Sequence, residues 1–190
     1  MGQLDVSDLL ADRQLRGPEF CEALTERIDG FLAGVFAAAE APEGTALVAV
    51  GGYGRREQCP GSDVDVVLVH RPDTDVREAA QRIWYPLWDA GLKLGHQVGT
   101  VAQLLEVATD SLETATSLLA ARPVAGDGEL AERLASAALQ QWVSRSKHHL
   151  DRMNASVAER HARFGEVAFL LEPDLKEARG GLRDVHNLLW

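Results

Sequence analysis

The segment GGYGRREQCPGSDVDVVLVH, residues 51–70, places the strongest constraint on what this chain can fold into. It opens with two glycines and ends in a run rich in valine, which is typical of a buried β-strand. Asp63 and Asp65 stand at the start of that run. Burying charge is costly, so carboxylates here need a reason other than packing.

The two carboxylates are expected to share one face of the strand, because successive side chains of a strand point to opposite sides. Their Cα atoms would lie about 7 Å apart. Neighbouring ionised carboxylates repel each other, and a divalent cation removes that repulsion. Mg²⁺ prefers one or two carboxylates together with substrate phosphates. Asp63 and Asp65 are therefore predicted metal ligands and catalytic residues.

The glycines match the other half of such a ligand, a nucleoside triphosphate. Gly51 and Gly52 carry no side chain, so phosphates can approach their amides closely. We expect a helical turn at residues 53–58, and Arg55 and Ser62 are predicted to donate hydrogen bonds to phosphate oxygens.

The rest of the chain predicts a small α/β (α+β) core followed by a helical region. Strands are expected at 45–50, 63–70 and 92–100. Helices are expected at 19–40, 76–90, 110–121, 129–163 and from about residue 184. The long helix is expected to turn these residues inward: Leu130, Leu134, Trp142, Leu150, Met153 and Val157. The predicted segments are an N-terminal helical segment at 1–42, an α/β core at 43–125 and a helical region at 126–190.

Composition excludes several classes of function. With 190 residues and a net charge of −10, the chain is not built to neutralise a nucleic-acid backbone. No signal peptide and no apolar run long enough to span a membrane is evident, so we expect a cytoplasmic protein with neither nucleic acid nor membrane as partner. Cys21 and Cys59 are expected to be unpaired thiols.

The last residues, GGLRDVHNLLW, stop within an apolar helical pattern. We expect a fragment of a longer protein, truncated at its C-terminal end, and the alternative is a docked C-terminal helix.

The combination of strand, Gly-Gly and Asp-x-Asp resembles the nucleotidyltransferase superfamily with the DNA polymerase β-like fold. The sequence motifs are similar to those of one family in particular, the PII uridylyltransferase (GlnD) family. Four segments carry this resemblance, in order: GGYGRREQCPGSDVDVVLV, LGHQVGT, TATSLLAARPVAGD and EPDLKEARGGLRDVHNLLW.

The resemblance implies an enzyme that transfers UMP from UTP to a tyrosine of the nitrogen-regulatory PII protein and releases pyrophosphate. Actinobacterial relatives adenylylate PII, so ATP remains open as the donor. The resemblance also implies that Asp63 and Asp65 bind Mg²⁺. The larger relatives carry phosphohydrolase and ACT domains outside these segments, so we expect no removal of the nucleotidyl group and no response to glutamine.

The loop around Gly180 and Gly181 is basic, and we infer that Lys176 and Arg183 close over the nucleotide. The alternative is a helix N-terminus with Asp184 as its cap. Two other readings of the whole chain also stay open: a nucleotidyltransferase with a small molecule or a toxin-type partner as acceptor, and a catalytically silent nucleotide-binding or docking module.

Overall fold

The structure is a computed structural model and describes residues 4–190. The chain forms two compact units, Met1–Leu139 and Gln140–Trp190. The predicted segment boundaries after residues 42 and 125 stay predictions.

Helices and strands alternate through the first unit. The helices are α1 (Ser7–Ala11), α2 (Gly17–Ala38), α3 (Gly51–Gly54), α4 (Arg77–Asp89), α5 (Val101–Asp110) and α6 (Leu112–Leu118). The strands are β1 (Thr45–Ala49), β2 (Val64–His70), β3 (Leu94–Gly99) and β4 (Arg122–Gly126). Helix α7 (Gly128–Ser144) begins in the first unit and ends in the second.

The four strands form one mixed sheet in the order β3-β2-β1-β4. Strand β1 pairs antiparallel with β2 and β4, whereas β2 and β3 are parallel and are joined by the crossover helix α4. The parallel register sets Asp65 opposite Gly95. This register places the acidic start of β2 beside a strand position that has no side chain.

The main core lies between one face of the sheet and helices α2 and α4. Every residue of β1 is buried, and β2 turns alternate residues toward these helices. The core residues from the two helices and β2 include Leu24, Ile28, Leu32, Val35, Ile83, Trp84, Leu87, Val64, Val66 and Leu68. The period of 3.6 in the helices and of 2 in the strand produces this layer, as the sequence pattern predicts.

Asp65 lies on the opposite face of β2 from Val64 and Val66, together with the buried Val67 and Val69. The chain therefore changes from a carboxylate to apolar side chains along a single face of one strand.

The second unit contains the end of α7, then α8 (Ser146–Phe164), a short 3-10 helix (Val167–Phe169) and α9 (Leu182–Leu189). The expected continuous helix at 129–163 is wrong, because the chain leaves helical geometry at Arg145, with φ −113° and ψ 19°. No glycine or proline lies at this break, so the apolar periodicity alone predicted one continuous helix. Of the expected inward residues, Leu150 is half exposed and Val157 only partly buried.

The expected helices and strands do not include α1, α5, β4 or the 3-10 helix, and the bounds expected for α3 and α6 were wrong. Strand β4 includes Pro123 and lies at the sheet edge, beside an irregularity in β1, where a missing backbone donor is tolerated. The stretch expected as one helix from residue 110 is preceded by α5, and Ser111 caps α6 by accepting a hydrogen bond from Thr114 N–H. The helical turn expected at 53–58 is α3, which begins at Gly51 and ends at Gly54.

The expected architecture is confirmed: a small mixed α/β core is followed by helices α7, α8 and α9. Within residues 4–190, every helix is too short or too polar to cross a lipid bilayer.

Candidate active site

Asp65 lies at the second position of β2 and is partly buried. Its backbone carbonyl accepts a hydrogen bond from Val50 N–H at 3.0 Å. This bond ties the end of β1 to the start of β2, and it brings the residue that follows Val50 next to the Asp65 side chain.

That next residue is Gly51, whose φ of +59° is strained for any residue with a side chain. A Cβ atom here would lie 3.0 Å from Asp65 Oδ2 and 3.1 Å from Ser117 Oγ. The carboxylate of Asp65, the backbone of Gly51 and the hydroxyl of Ser117 therefore converge on one point. The sequence predicted both Gly51 and Asp65 as site residues, and the fold places them together.

Gly95 bounds the same carboxylate from the neighbouring strand. A Cβ atom at this position would lie 2.1 Å from Asp65 Oδ1, a separation that real atoms do not reach. Two glycines from different elements thus leave the room that the Asp65 side chain occupies.

Asp63 is exposed and stands just before β2, so the expected strand start at residue 63 is one residue early. Its backbone is nonetheless fixed, because the buried Gln58 donates from Nε2 to the Asp63 carbonyl at 3.0 Å. The two predicted metal ligands are separated by one residue, Val64; Gln58 anchors the backbone of Asp63, and the sheet anchors that of Asp65.

The predicted phosphate donors surround the same turn. The Nη2 atom of Arg55 would lie 3.9 Å from a Cβ at Gly52, and its Nε donates to Glu57 at 2.8 Å. Ser62 is exposed and its Oγ accepts the Cys59 N–H at 3.2 Å. The roles of Arg55 and Ser62 in binding nucleotide stay predictions.

A partly buried polar cluster fixes helix α3, which contains Gly51 and Gly52. Arg122 of β4 donates from Nη1 and Nη2 to the Asp29 carboxylate of α2 at 2.8 and 3.0 Å. The hydroxyl of the fully buried Tyr53 donates to the same carboxylate at 2.5 Å. Arg122 Nε also approaches the Gly54 carbonyl at 3.4 Å. Helix α3 is thereby tied to both α2 and the sheet edge.

The pKa values of this cluster follow from its burial and its charges. Burial, with the hydrogen bond to Asp29, raises the pKa of Tyr53 far above its usual range. Burial lowers the pKa of Arg122, but the ion pair with Asp29 outweighs this effect and the net shift is upward. At neutral pH Tyr53 is therefore a neutral donor and Arg122 a cation.

Lys176 and Arg183 belong to the second unit. Lys176 is exposed, and Arg183 Nη2 donates to Glu177 Oε1 at 3.2 Å. Asp184 does not cap α9. It accepts the Gly180 N–H at 2.7 Å and binds Arg160 and His161 of α8. This loop is therefore folded onto α8, and nucleotide binding by Lys176 and Arg183 stays a prediction.

The residues present suit Mg²⁺ only if the substrate supplies part of the coordination. Among residues 4–190 no group of three or more His, Cys, Asp or Glu side chains is arranged to hold a metal ion. Asp63 and Asp65 supply two carboxylates, and the glycines beside Asp65 leave space next to it. Magnesium characteristically takes one or two carboxylates and completes its shell with water and phosphate oxygens.

A large cavity lies elsewhere in the first unit, between α1 and α2. Its volume is about 960 Å³, and its lining includes Leu9, Phe31 and Gly34. None of the predicted site residues lines this cavity, so the candidate site rests on side-chain chemistry and not on cavity size.

Sequence reasoning missed Gly95, Gln58, Ser117 and the cluster of Asp29, Tyr53 and Arg122. One signal was available, because a glycine inside a strand often marks close approach of another group. The others come together only through tertiary structure, since Asp29 and Arg122 are 93 residues apart along the chain.

Comparison with known proteins identifies the class of protein. A family model described as nucleotidyltransferase DUF294 matches residues 10–114, more than half of the chain. The chain belongs to this nucleotidyltransferase family. A second model, described as GlnD PII-uridylyltransferase, matches residues 148–190.

Several curated relatives carry the name bifunctional uridylyltransferase/uridylyl-removing enzyme. The one from Streptomyces coelicolor is 48% identical over 95% of this chain and 22% of its own length. The one from Mycobacterium tuberculosis H37Rv is 44% identical over 76% of this chain and 18% of its own length. The one from Nitrosospira multiformis is 37% identical over 86% of this chain and 19% of its own length. The chain thus spans about a fifth of the length of these relatives.

These matches confirm the resemblance to the PII uridylyltransferase family that the sequence motifs indicated. Among solved structures, a toxin-antitoxin crystal structure with AMP-PNP aligns with a TM-score of 0.42 and 12% identity, covering 66% of this chain and 98% of that chain. At this level of similarity the alignment adds nothing to the assignment.

Proposed function

We propose that this chain is the Mg²⁺-dependent nucleotidyltransferase module of a PII-modifying enzyme. It transfers UMP from UTP to a tyrosine hydroxyl of a PII protein and releases pyrophosphate. The observation that carries the proposal is the convergence of Asp65, Gly51 and Gly95, within a chain whose relatives are named uridylyltransferases.

Each residue has a defined part in this proposal. Asp63 and Asp65 would hold Mg²⁺, which supplies charge stabilisation to the triphosphate and to the leaving pyrophosphate. Gly51 and Gly52 admit the phosphates close to the backbone, and Arg55 and Ser62 donate hydrogen bonds to phosphate oxygens. The protein contributes position and electrostatics.

The transfer forms one bond and breaks one bond at the α-phosphorus of the nucleotide. The tyrosine oxygen forms a bond to the α-phosphorus of the nucleotide while the bond from that phosphorus to the bridging oxygen of the β-phosphate breaks. Pyrophosphate carries away the electron pair of the broken bond, and the hydroxyl proton passes to solvent.

The test is the intact mass of a PII protein after incubation with this chain and Mg²⁺, with UTP and ATP in separate reactions. We expect a uridylyl increment that disappears without Mg²⁺ and in the Asp63→Asn/Asp65→Asn variant. Asp73→Asn is the matched control, because it removes one carboxylate from the exposed turn after β2. A PII variant with phenylalanine in place of the modified tyrosine identifies the acceptor.

An adenylyl increment in place of the uridylyl one would assign ATP as donor and overturn the choice of UTP. No increment with either nucleotide, from a chain whose circular dichroism shows it folded, would overturn the proposed transfer to PII.

A further inference from the structure

The two cysteines of the chain lie side by side beside the candidate site. Cys21 is in the first turns of α2 and Cys59 is in the loop between α3 and β2, and their Sγ atoms are 3.8 Å apart. Both are free thiols, as expected from the sequence, which nevertheless gave no reason to expect contact between residues 38 positions apart.

The approach of the two thiols is part of a wider contact. In the same loop Arg56 pairs with Glu22 and Glu26 of α2, at 3.8 and 3.1 Å. The loop therefore lies along α2 through charged contacts as well as through the thiols. A disulfide needs the sulfur atoms at about 2.05 Å. Cys59 stands on an exposed turn, which the Ser62 N–H closes by donating to the Cys59 carbonyl at 3.0 Å.

The turn that holds Cys59 leads directly into Asp63. The preceding residue, Gln58, holds the Asp63 carbonyl at 3.0 Å. A covalent bond at Cys59 would therefore fix, or displace, the segment that positions the first of the two predicted metal ligands.

We propose that Cys21 and Cys59 form a redox-active dithiol that closes to a disulfide and links α2 to the turn before Asp63. The oxidant is a low-molecular-weight disulfide such as oxidised glutathione. The closure slows nucleotidyl transfer, and this second statement rests on the proposed function.

The reaction is thiol–disulfide exchange in two steps. The Cys59 thiolate attacks one sulfur of the small disulfide, a mixed disulfide forms, and one small thiol leaves. The Cys21 thiolate then attacks Cys59 Sγ, the protein disulfide forms, and the second small thiol leaves. Two cysteine thiols are oxidised, one small disulfide is reduced to two thiols, and the two protons end on those thiols.

The order of attack follows from the surroundings of the two thiols. Cys59 is exposed, whereas burial, the contact with Cys59 and the charge of Glu57 raise the pKa of Cys21. Cys59 therefore meets the oxidant first, and Cys21 resolves the mixed disulfide.

The test treats the whole chain with oxidised glutathione, alkylates it under denaturing conditions and measures its intact mass. We expect a monomer that has lost two hydrogen atoms, carries no glutathione and takes up no alkyl group. Cys21→Ser should stop at one glutathione on Cys59, and Cys59→Ser should react much more slowly. A wild-type chain with two glutathiones, or a disulfide between two chains, would overturn the dithiol.

The same samples then enter the PII transfer assay. We expect the oxidised wild type to transfer several-fold more slowly and to recover on reduction, while Cys59→Ser stays unaffected by the oxidant. Equal rates before and after closure would overturn the coupling to transfer. No transfer even by the reduced chain would count against the proposed function and leave the mass result for the dithiol intact.

Discussion

Gly95 and Asp65 face each other across the parallel pair of β2 and β3, and the space where Gly95 would carry a Cβ is filled by the Asp65 carboxylate. The glycine is therefore required by its neighbour and not by its own backbone conformation. The observed position of the Asp65 carboxylate therefore requires a glycine at position 95.

Gly95→Ala should lower kcat/KM for nucleotidyl transfer by roughly 10- to 100-fold, because the added methyl displaces the Asp65 carboxylate. Gly99→Ala in the same strand is the matched control, since its Cβ would meet Gln103 at 3.4 Å, a distance that small shifts relieve. Steady-state kinetics and the thermal stabilisation by Mg²⁺-nucleotide measure the effect. Equal losses in both variants would contradict a specific role for Gly95.

Gln58→Met should raise the Mg²⁺ concentration needed for half-maximal transfer several-fold, because the Asp63 backbone loses its side-chain donor. Loss of this hydrogen bond should also reduce the free energy of unfolding by about 1 kcal/mol. Gln81→Met, on the exposed face of α4, is the control. A fall in kcat with unchanged Mg²⁺ dependence would argue against Gln58 positioning a metal ligand.

Asp29→Ala should cost roughly 1–3 kcal/mol of unfolding free energy, because it leaves the partly buried Arg122 and the hydroxyl of Tyr53 without their shared acceptor. Adding Arg122→Met should cost less than the sum of the single changes, since both remove the same ion pair. Urea denaturation of the three variants measures this coupling. Arg77→Ala, which breaks an exposed ion pair with Asp75 but keeps the backbone N–H that Asp75 accepts, should change stability by less than about 1 kcal/mol. Strict additivity of Asp29→Ala and Arg122→Met would show that the pair does not act as a unit.

His149 of the second unit offers a pH-dependent test. It is fully buried and stacks on Trp142 at 4.5 Å, and neither ring nitrogen has a hydrogen-bond partner among residues 4–190. Burial, followed by the charges of His148, Arg152 and Arg145, lowers its pKa. The folded chain therefore keeps this ring neutral at a pH where the unfolded chain binds a proton.

Protonation of His149 in the unfolded chain lowers the free energy of unfolding at acidic pH. The stability that neutral His149 contributes is fully present above the unfolded pKa of about 6.5 and is lost as pH falls below it toward the folded value. His149→Phe should keep the stacking, remove the unpaired nitrogens and raise stability by roughly 1 kcal/mol. The variant's advantage over wild type should grow between pH 7 and pH 5 in urea denaturation. An advantage that is constant across this range would show that protonation of His149 does not contribute.

The periodic parts of the fold could be predicted from sequence, and the parts set by distant partners could not. The apolar spacing of α2 and the β-branched run of β2 report their own burial, so both elements were expected near their actual bounds. Strand β4 lacks alternation and contains Pro123, and only its pairing with β1 makes it a strand. The break at Arg145 leaves no mark in composition.

The candidate site divides in the same way. One short segment contains Gly51, Gly52, Asp63 and Asp65. Because these residues are close in sequence, their association could be predicted from it. Gly95 depends on the register of a parallel pair, and Arg122 on a strand that periodicity did not indicate. Residues that support the site through tertiary contacts depend on the fold of the whole unit. A short segment of sequence does not show which distant residues will make these contacts.

The position of β1 in the sheet has a consequence for biosynthesis. Its five buried residues need β2 on one side and β4 on the other, and β4 begins only at Arg122, which also anchors the Gly-Gly turn through Asp29. While the ribosome is still translating the residues between, β1 presents an apolar strand with one open edge, the kind of surface that pairs with other chains. Folding of this unit therefore waits for a late segment, and a nascent chain that stalls before it is the form most exposed to aggregation.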